Sequence, residues 1–476
     1  MTWNCTTQLL PHQVDAIAKV LPAKVGALFM EMGTGKSRVA IELARLRQAK
    51  IDRVIWFCPV SVRTTILAEI MRHTDVGIGD VHVFGDKTSE SNMPPANWYI
   101  VGIESMSSSA RVIHSAESLI TDRSFVVLDE SAYVKTPDAL RTRRITLVSK
   151  PARYRLLLTG TPITQGIQDL WAQLNFLSPK ILGFHSFRGF ASRHLVYDKE
   201  FPGRVVDQID VDKIAAKARP YAYQVLKEEC LSLPHKTYRS RSFELSDEQA
   251  FEYERAKERL LTEDYLYGDA YQQQAVIYRL FTALQAIVCG FTVASGGEPS
   301  RSLECHRPDA AIGILKEIPD GELVVIWSRY LHCLRDLHRE LSSTFGDDSV
   351  WSIHGGISPL ERAKRIEAWK VRGRFLVVTQ GVGGHGIDLT AAHRVLFYAN
   401  SFQYGTRIQA EDRFHRIGQQ SRVEYIDIWS RSGIEDLMAR VLARKGNALA
   451  EFRRRVDEVR ANGTRLSVVE KLRALL

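Results

Sequence analysis

Lys36 and the neighbouring carboxylates Asp129 and Glu130 are the side chains of this 476-residue sequence whose surroundings best suit chemistry. Lys36 follows two glycines in Glu31-Met32-Gly33-Thr34-Gly35-Lys36-Ser37. A turn of that composition lets backbone N–H groups converge on a phosphate. It also offers the lysine to the β/γ oxygens and the Ser37 hydroxyl to Mg²⁺. Met30 stands where the G-x-x-x-x-G-K-[ST] spacing has its first glycine. Asp129-Glu130 closes the apolar run Phe125-Val126-Val127-Leu128. There Asp129 suits a Mg²⁺ ligand, and Glu130 suits a group that orients or deprotonates an attacking water. Glycine turns and strand-end carboxylates are common separately. A lysine loop upstream of such a pair, in one alternating chain, points to phosphoryl transfer from ATP with Mg²⁺.

These residues need strands to hold them level. β-branched runs at 54–58, 125–128, 323–327 and 375–379 are followed by amphipathic stretches, the pattern of parallel βα units. In such sheets ligands gather at the carboxyl ends of the strands. Residues 27–30 read as the end of a strand, and the run from Arg38 to Leu46 as the helix opened by the loop. A chain this long exceeds the ~250 to 300 residues that one core supports, so two lobes are expected. The expected division is a first lobe at 1–178, a mostly helical insertion and linker at 179–300, a second lobe at 301–445, and a helical tail at 446–476. Ser295-Gly296-Gly297-Glu298-Pro299-Ser300 reads as the loop leading into the second lobe. Arg453-Arg454-Arg455 in the tail reads as a solvated helix face.

Apolar and charged fractions of 45% and 25% are those of a globular protein. A net charge of +9 permits a polyanionic partner without choosing between nucleic acid and membrane. Cys5, Cys58, Cys230, Cys289, Cys305 and Cys333 form no C-x-x-C pair, which excludes a disulfide framework or zinc site at the level of spacing. With no basic, apolar leader in the first ten residues and no run of ~20 apolar residues, the expectation is a cytoplasmic protein without membrane contact.

Over residues 10–437 the sequence resembles helicase superfamily 2, and within it the Swi/Snf-type DNA translocases. Leu9-Leu10-Pro11-His12-Gln13 is similar to the adenine-reading motif, which implies that Gln13 meets the base. Leu157-Leu158-Thr159-Gly160-Thr161-Pro162 resembles the motif that couples hydrolysis to nucleic-acid contact. Its continuation, Asp169-Leu170-Trp171-Ala172-Gln173-Leu174-Asn175-Phe176-Leu177-Ser178-Pro179, resembles the Swi/Snf branch. Val324-Val325-Ile326-Trp327-Ser328 and Ile353-His354-Gly355-Gly356 are similar to the opening of the second lobe. Gly381-Val382-Gly383-Gly384-His385-Gly386-Ile387-Asp388-Leu389-Thr390 resembles motif five, and Gln409-Ala410-Glu411-Asp412-Arg413-Phe414-His415-Arg416-Ile417-Gly418-Gln419 resembles motif six. Two departures stand out: Ser131-Ala132 where the family usually has Ala-His, and Phe402-Gln403-Tyr404 where Trp-Asn-Pro is common.

The resemblance implies two RecA-like parallel-sheet lobes and an ATP- and Mg²⁺-dependent motor on DNA, duplex favoured, with no sequence specificity. The nucleotide set is then Gln13, Gly33, Thr34, Gly35, Lys36, Ser37 and Arg38. Ser37 and Asp129 are the metal ligands, while Lys36, Glu130, Arg413 and Arg416 are catalytic. Thr159, Gly160, Thr161, Gly383, Gly384, Gly386 and Gln409 are implied in nucleic-acid contact or coupling. Arg413 and Arg416, three apart, would share one face of a helix. The alternatives are a strand-separating helicase and a nucleotide-gated DNA-binding scaffold with an inactive ATPase. Targeting would come from a protein partner or a DNA structure.

Overall fold

Apolar runs without polar alternation are the mark of strands covered on both faces. The computed structural model, which describes residues 2–163, 166–197, 205–260, 270–294, 299–383 and 387–444, shows why. In β2 (Arg53–Cys58), Ile55 and Phe57 enter one hydrophobic core while Val54, Trp56 and Cys58 enter the core on the other face. Two units share this plan, Met1–Ser232 and Leu233–Leu476.

The first unit holds β1 (Val25–Met30), β2, β3 (Val81–Val83), β4 (Trp98–Gly102), β5 (Ser124–Asp129), β6 (Tyr154–Thr159) and a short hairpin of β7 (Leu195–Tyr197) and β8 (Val205–Gln208). With β9 (Ala222–Val225) its large sheet runs β3-β4-β2-β5-β6-β1-β9, every neighbour parallel. The second unit holds β10 (Lys236–Phe243), a hairpin of β11 (Phe291–Val293) and β12 (Pro299–Ser302), then β13 (Val324–Ser328), β14 (Val350–Ile353), β15 (Phe375–Thr379), β16 (Arg394–Phe397) and β17 (Val423–Ser430). Its parallel sheet runs β10-β17-β16-β13-β15-β14.

The stretch 179–300, expected as an insertion, is divided between the units. β9 pairs with β1 from Ala27↔Ala222 to Met30↔Val225, and β10 pairs with β17 over its whole length. The units therefore part at Ser232, not at 178 and 300. Helices Asp247–Leu260 and Ala270–Val288 bury Tyr253, Leu280, Phe281 and Leu284 in the core of the second unit. β10 escapes pattern reading because it is an edge strand of sequence Lys-Thr-Tyr-Arg-Ser-Arg-Ser-Phe, charged and largely accessible. Pro299 and Ser300, expected in a loop, belong to β12. Residues 295–298 and the tail from 445 onward lie outside the described residues. Among the described residues no helix is long and apolar enough to cross a membrane.

Candidate functional site

In the first unit β5, β6 and β1 are neighbours, and their carboxyl ends lie level, with Asp129 paired to Leu158 and Thr159 paired to Phe29. At a strand spacing of about 4.8 Å, the ends of β5 and β1 stand roughly 10 Å apart. Along this edge follow Asp129-Glu130, Thr159-Gly160-Thr161 and the 31–35 loop. α2 (Lys36–Arg47) begins at Lys36, with Gly35 as its N-cap at φ 85° and Gly33 at φ 81°. No acidic residue occupies its first turn, so the positive end of the helix is uncompensated, an arrangement that suits an anion. Lys36 Nζ donates to Met30 O at 2.9 Å and Glu31 O at 3.3 Å, folding the lysine over the loop. The buried Thr34 hydroxyl donates to Glu31 O at 2.7 Å, so Thr34 has its backbone to offer and not its side chain. Ser37 is half-buried behind it. A Cβ on Gly160 would stand 3.2 Å from Met32 N, which shows how closely the β6 turn lies against the loop.

α1 (Pro11–Val20) supplies the support beneath. Gln13, 3% exposed, accepts from Leu10 N at 3.0 Å and donates to Thr34 O at 3.3 Å. His12, which the spacing of residues did not single out, contacts the same carbonyl through Nε2 at 2.8 Å. Gln13 thus braces the 31–35 loop through Thr34. Arg38, expected among the nucleotide residues, is spent elsewhere. Its guanidinium donates to Thr7 Oγ1 and Thr7 O at 2.9 and 2.7 Å and pairs with Glu42 at 2.9 Å, at 4% exposure.

Gly35 gives a test of the loop alone. Its φ of 85° is left-handed, and a Cβ there would lie 2.2 Å from Gln13 Nε2. Gly35→Ala should cost about 1–2 kcal/mol in backbone strain and displace the Gln13 brace. Denaturant titration should show the modest loss, and nucleotide titration should show ATP affinity lowered by ~10-fold or more, since only the phosphate cradle has moved. Unchanged affinity would remove the loop from phosphate binding.

Asp129 is 8% exposed, with Trp56 Nε1 donating to its Oδ2 at 3.4 Å and Glu130 N to its Oδ1 at 2.9 Å. Burial, reinforced by the adjacent Glu130 charge, pushes its carboxyl up to about 7 against the pull of Lys36. A carboxylate so poorly solvated fits a divalent cation, which would favour its charged form. Glu130 follows in a left-handed conformation, φ 47° and ψ 53°, uncommon for a residue with a Cβ. The chain then enters a 3₁₀ turn, Ser131–Val134. Ser131 donates to Gln173 Oε1 at 2.6 Å, a contact across 42 residues that no local spacing announces.

The second unit carries the remaining residues. Helix Tyr404–Glu411 contains Gln409, half-buried, and stops at Glu411. Arg413 and Arg416 therefore lie in the turns beyond it, and the expectation that they share a helix face does not hold. Two contacts end the helix. The Tyr425 hydroxyl donates to Glu411 O at 2.9 Å, and Phe414 is drawn wholly into the core against Trp327 and Tyr425. Arg413 is 7% exposed, its carbonyl accepting from Leu389 N, whereas Arg416 is only half-buried. Glu411 anchors this segment by accepting from Arg407, Lys236 and Tyr238 at 2.8, 3.2 and 2.8 Å. Burial would raise the Asp388 carboxyl, but hydrogen bonds from Thr390 and the charges of Arg416 and Lys370 hold it below its usual range. Gly383 ends a helical turn, Gln380–Gly383, after β15. Gly384 and Gly386 lie outside the described residues.

The profile of the SNF2-related domain matches residues 18–289, more than half of the chain, and that of the helicase conserved C-terminal domain matches 307–418. The chain is 25% identical over 439 residues to the mouse Chromodomain-helicase-DNA-binding protein 1-like, covering 87% of this chain and 46% of that protein. It is 26% identical over 504 residues to the ISWI chromatin-remodeling complex ATPase ISW1 of Saccharomyces cerevisiae, covering 98% and 41%. It thus spans less than half the length of these relatives. A solved SWI2/SNF2 ATPase core from Sulfolobus solfataricus in complex with dsDNA aligns over 93% of this chain and 92% of that one, at 22% identity and a TM-score of 0.45.

Proposed function

This chain belongs to the SNF2-related family, and we propose that it is an ATP-driven motor whose two lobes together hydrolyse ATP to move along duplex DNA. The observation that carries the reading is the alignment of three functional segments on one sheet edge: the 31–35 loop, the Asp129-Glu130 pair and the Thr159-Gly160-Thr161 turn. Bound Mg²⁺ would supply the charge that keeps Asp129 ionised and the γ-phosphate polarised. Ser37 and Asp129 would hold the metal. Lys36 exchanges the Met30 and Glu31 carbonyls for the β/γ oxygens, and the N–H groups of 33–37 hold the rest of the chain of phosphates. Glu130 orients or deprotonates the attacking water. Arg416, with Arg413 beside it, is the cation of the second lobe for the γ-phosphate.

Gly160 and the exposed Thr161 in the first lobe, above the fully buried Thr159, and Gly383, Gly384, Gly386 and Gln409 in the second grip the phosphodiester backbone. Contacts of that kind position a protein without reading bases, so sequence preference should be slight and targeting should come from a partner protein or a DNA structure. The replacement of a loop glycine by Met30 does not argue for a dead ATPase. What Met30 gives the loop is a carbonyl that receives Lys36, and its side chain is fully buried away from it.

The test is ATP turnover with duplex DNA, single-stranded DNA, forked DNA and RNA at matched salt. Duplex DNA should stimulate most, and stimulation should fall steeply with salt because each phosphate contact releases counterions on binding. Equal or greater stimulation by RNA would overturn the choice of track. Displacement of a strand from the forked substrate would make the enzyme a helicase.

A further inference from the structure

We infer that Gln173 and Ser131 form a positioning relay that carries the state of the Thr159–Pro162 turn to Glu130; the inference rests on the motor reading above. Gln173 lies in the middle of helix Gln168–Leu177, fully buried, and Ser131 is fully buried as well. The amide of Gln173 makes three hydrogen bonds. Nε2 donates to Pro162 O at 2.7 Å and Asp169 O at 2.8 Å, and Oε1 faces Ser131 Oγ at 2.6 Å.

The orientation of that amide follows from chemistry. Carbonyl oxygens only accept, so the two backbone contacts must be met by the NH₂ group. Oε1 is then the atom toward Ser131, and the hydroxyl is obliged to donate. One amide therefore ties the end of the β6 turn to the residue that follows Glu130, with no water between. A second tether runs parallel to it: Lys135 Nζ lies 3.7 Å from Asp169 Oδ2, joining the same post-carboxylate segment to the same helix.

The position of Ser131 matters because Glu130 sits in a left-handed conformation that needs support from its surroundings. Thr161 N donates to Oγ1 of the fully buried Thr159 at 3.1 Å, so the exposed Thr161 is held by a hydrogen bond that can re-form when its own side chain engages a phosphodiester. A shift of Pro162 O then pulls on Gln173, which pulls on Ser131 and re-aims Glu130. Neither Gln173 nor Ser131 touches ATP or the track in this scheme.

The experiment is a double-mutant cycle of Ser131→Ala, Gln173→Leu and both together, measured as ATP turnover without and with saturating duplex DNA. Basal turnover and KM for ATP should stay within about twofold of wild type, while the stimulation by DNA falls several-fold in Ser131→Ala and ~10-fold or more in Gln173→Leu. The double variant should be no worse than Gln173→Leu, the non-additivity expected of residues acting in one path. Should Gln173→Leu fold poorly, Ser131→Ala carries the test beside Ser131→Thr, which keeps the hydroxyl and should retain stimulation. Wild-type enzyme stimulated by DNA, with variants stimulated equally, would overturn the relay and leave the motor reading standing. Wild-type enzyme indifferent to DNA would overturn both.

Discussion

Glu130→Gln should bind ATP and Mg²⁺ within about threefold of wild type and lose turnover by ~10² to 10⁴, the range over which a positioned general base contributes. The argument is one of division of labour between neighbours. Asp129 is buried against Trp56 and accepts the amide of Glu130, so its carboxylate is fixed in place and dry. Glu130 is half-buried and projects from a left-handed backbone that points the next atoms of the chain away from the strand direction. A fixed, dehydrated carboxylate suits a metal; an accessible neighbour suits a water. Glutamine keeps the length of Glu130 and its hydrogen-bonding reach, and it imposes no new backbone strain, so only the charge and basicity are removed. The measurement is nucleotide binding by fluorescence beside single-turnover hydrolysis. Loss of binding in a folded variant would give Glu130 to the metal, and undiminished turnover would leave it without a role.

What could be read from the residues and what could not follows a physical line. β5 and β13 were legible because strands buried on both faces have to be apolar throughout, and the phosphate loop because its left-handed turns demand glycine at 33 and 35. β9 and β10 were not: at the edge of a sheet a strand keeps polar residues, and Lys236–Phe243 carries no apolar period. Arg38 follows Ser37 in sequence, but each helical residue turns ~100° from the last, and its side chain emerges toward Thr7 and Glu42. The brace of His12 and the link from Ser131 to Gln173 depend on tertiary pairing across 22 and 42 residues, which spacing in one sequence does not encode. The division between the units failed for the same reason as β10, since the residues that place 222–225 in one sheet and 236–243 in the other are backbone pairings.

Arg416→Lys and Arg416→Ala should each bind ATP and DNA nearly normally while losing DNA-stimulated turnover by ~10³ or more, the scale of a lost arginine finger. Of the two arginines, the structure makes Arg416 the cleaner test. Arg413 is almost wholly buried beside Phe414, so replacing its side chain would unsettle the packing as well as the chemistry. Arg416 is half-buried in the turn that follows, where its charge already lowers the carboxyl of Asp388. Lysine would keep the attraction to Asp388 but would present a single ammonium in place of a planar fork of donors, so it should restore the local charge and not the rate. The two variants thus separate charge from geometry. Recovery of turnover in Arg416→Lys would reduce the residue to an electrostatic partner of Asp388. Retained turnover with weakened DNA binding in Arg416→Ala would assign it to the track, because a phosphate contact changes affinity and its salt dependence without touching the hydrolytic step.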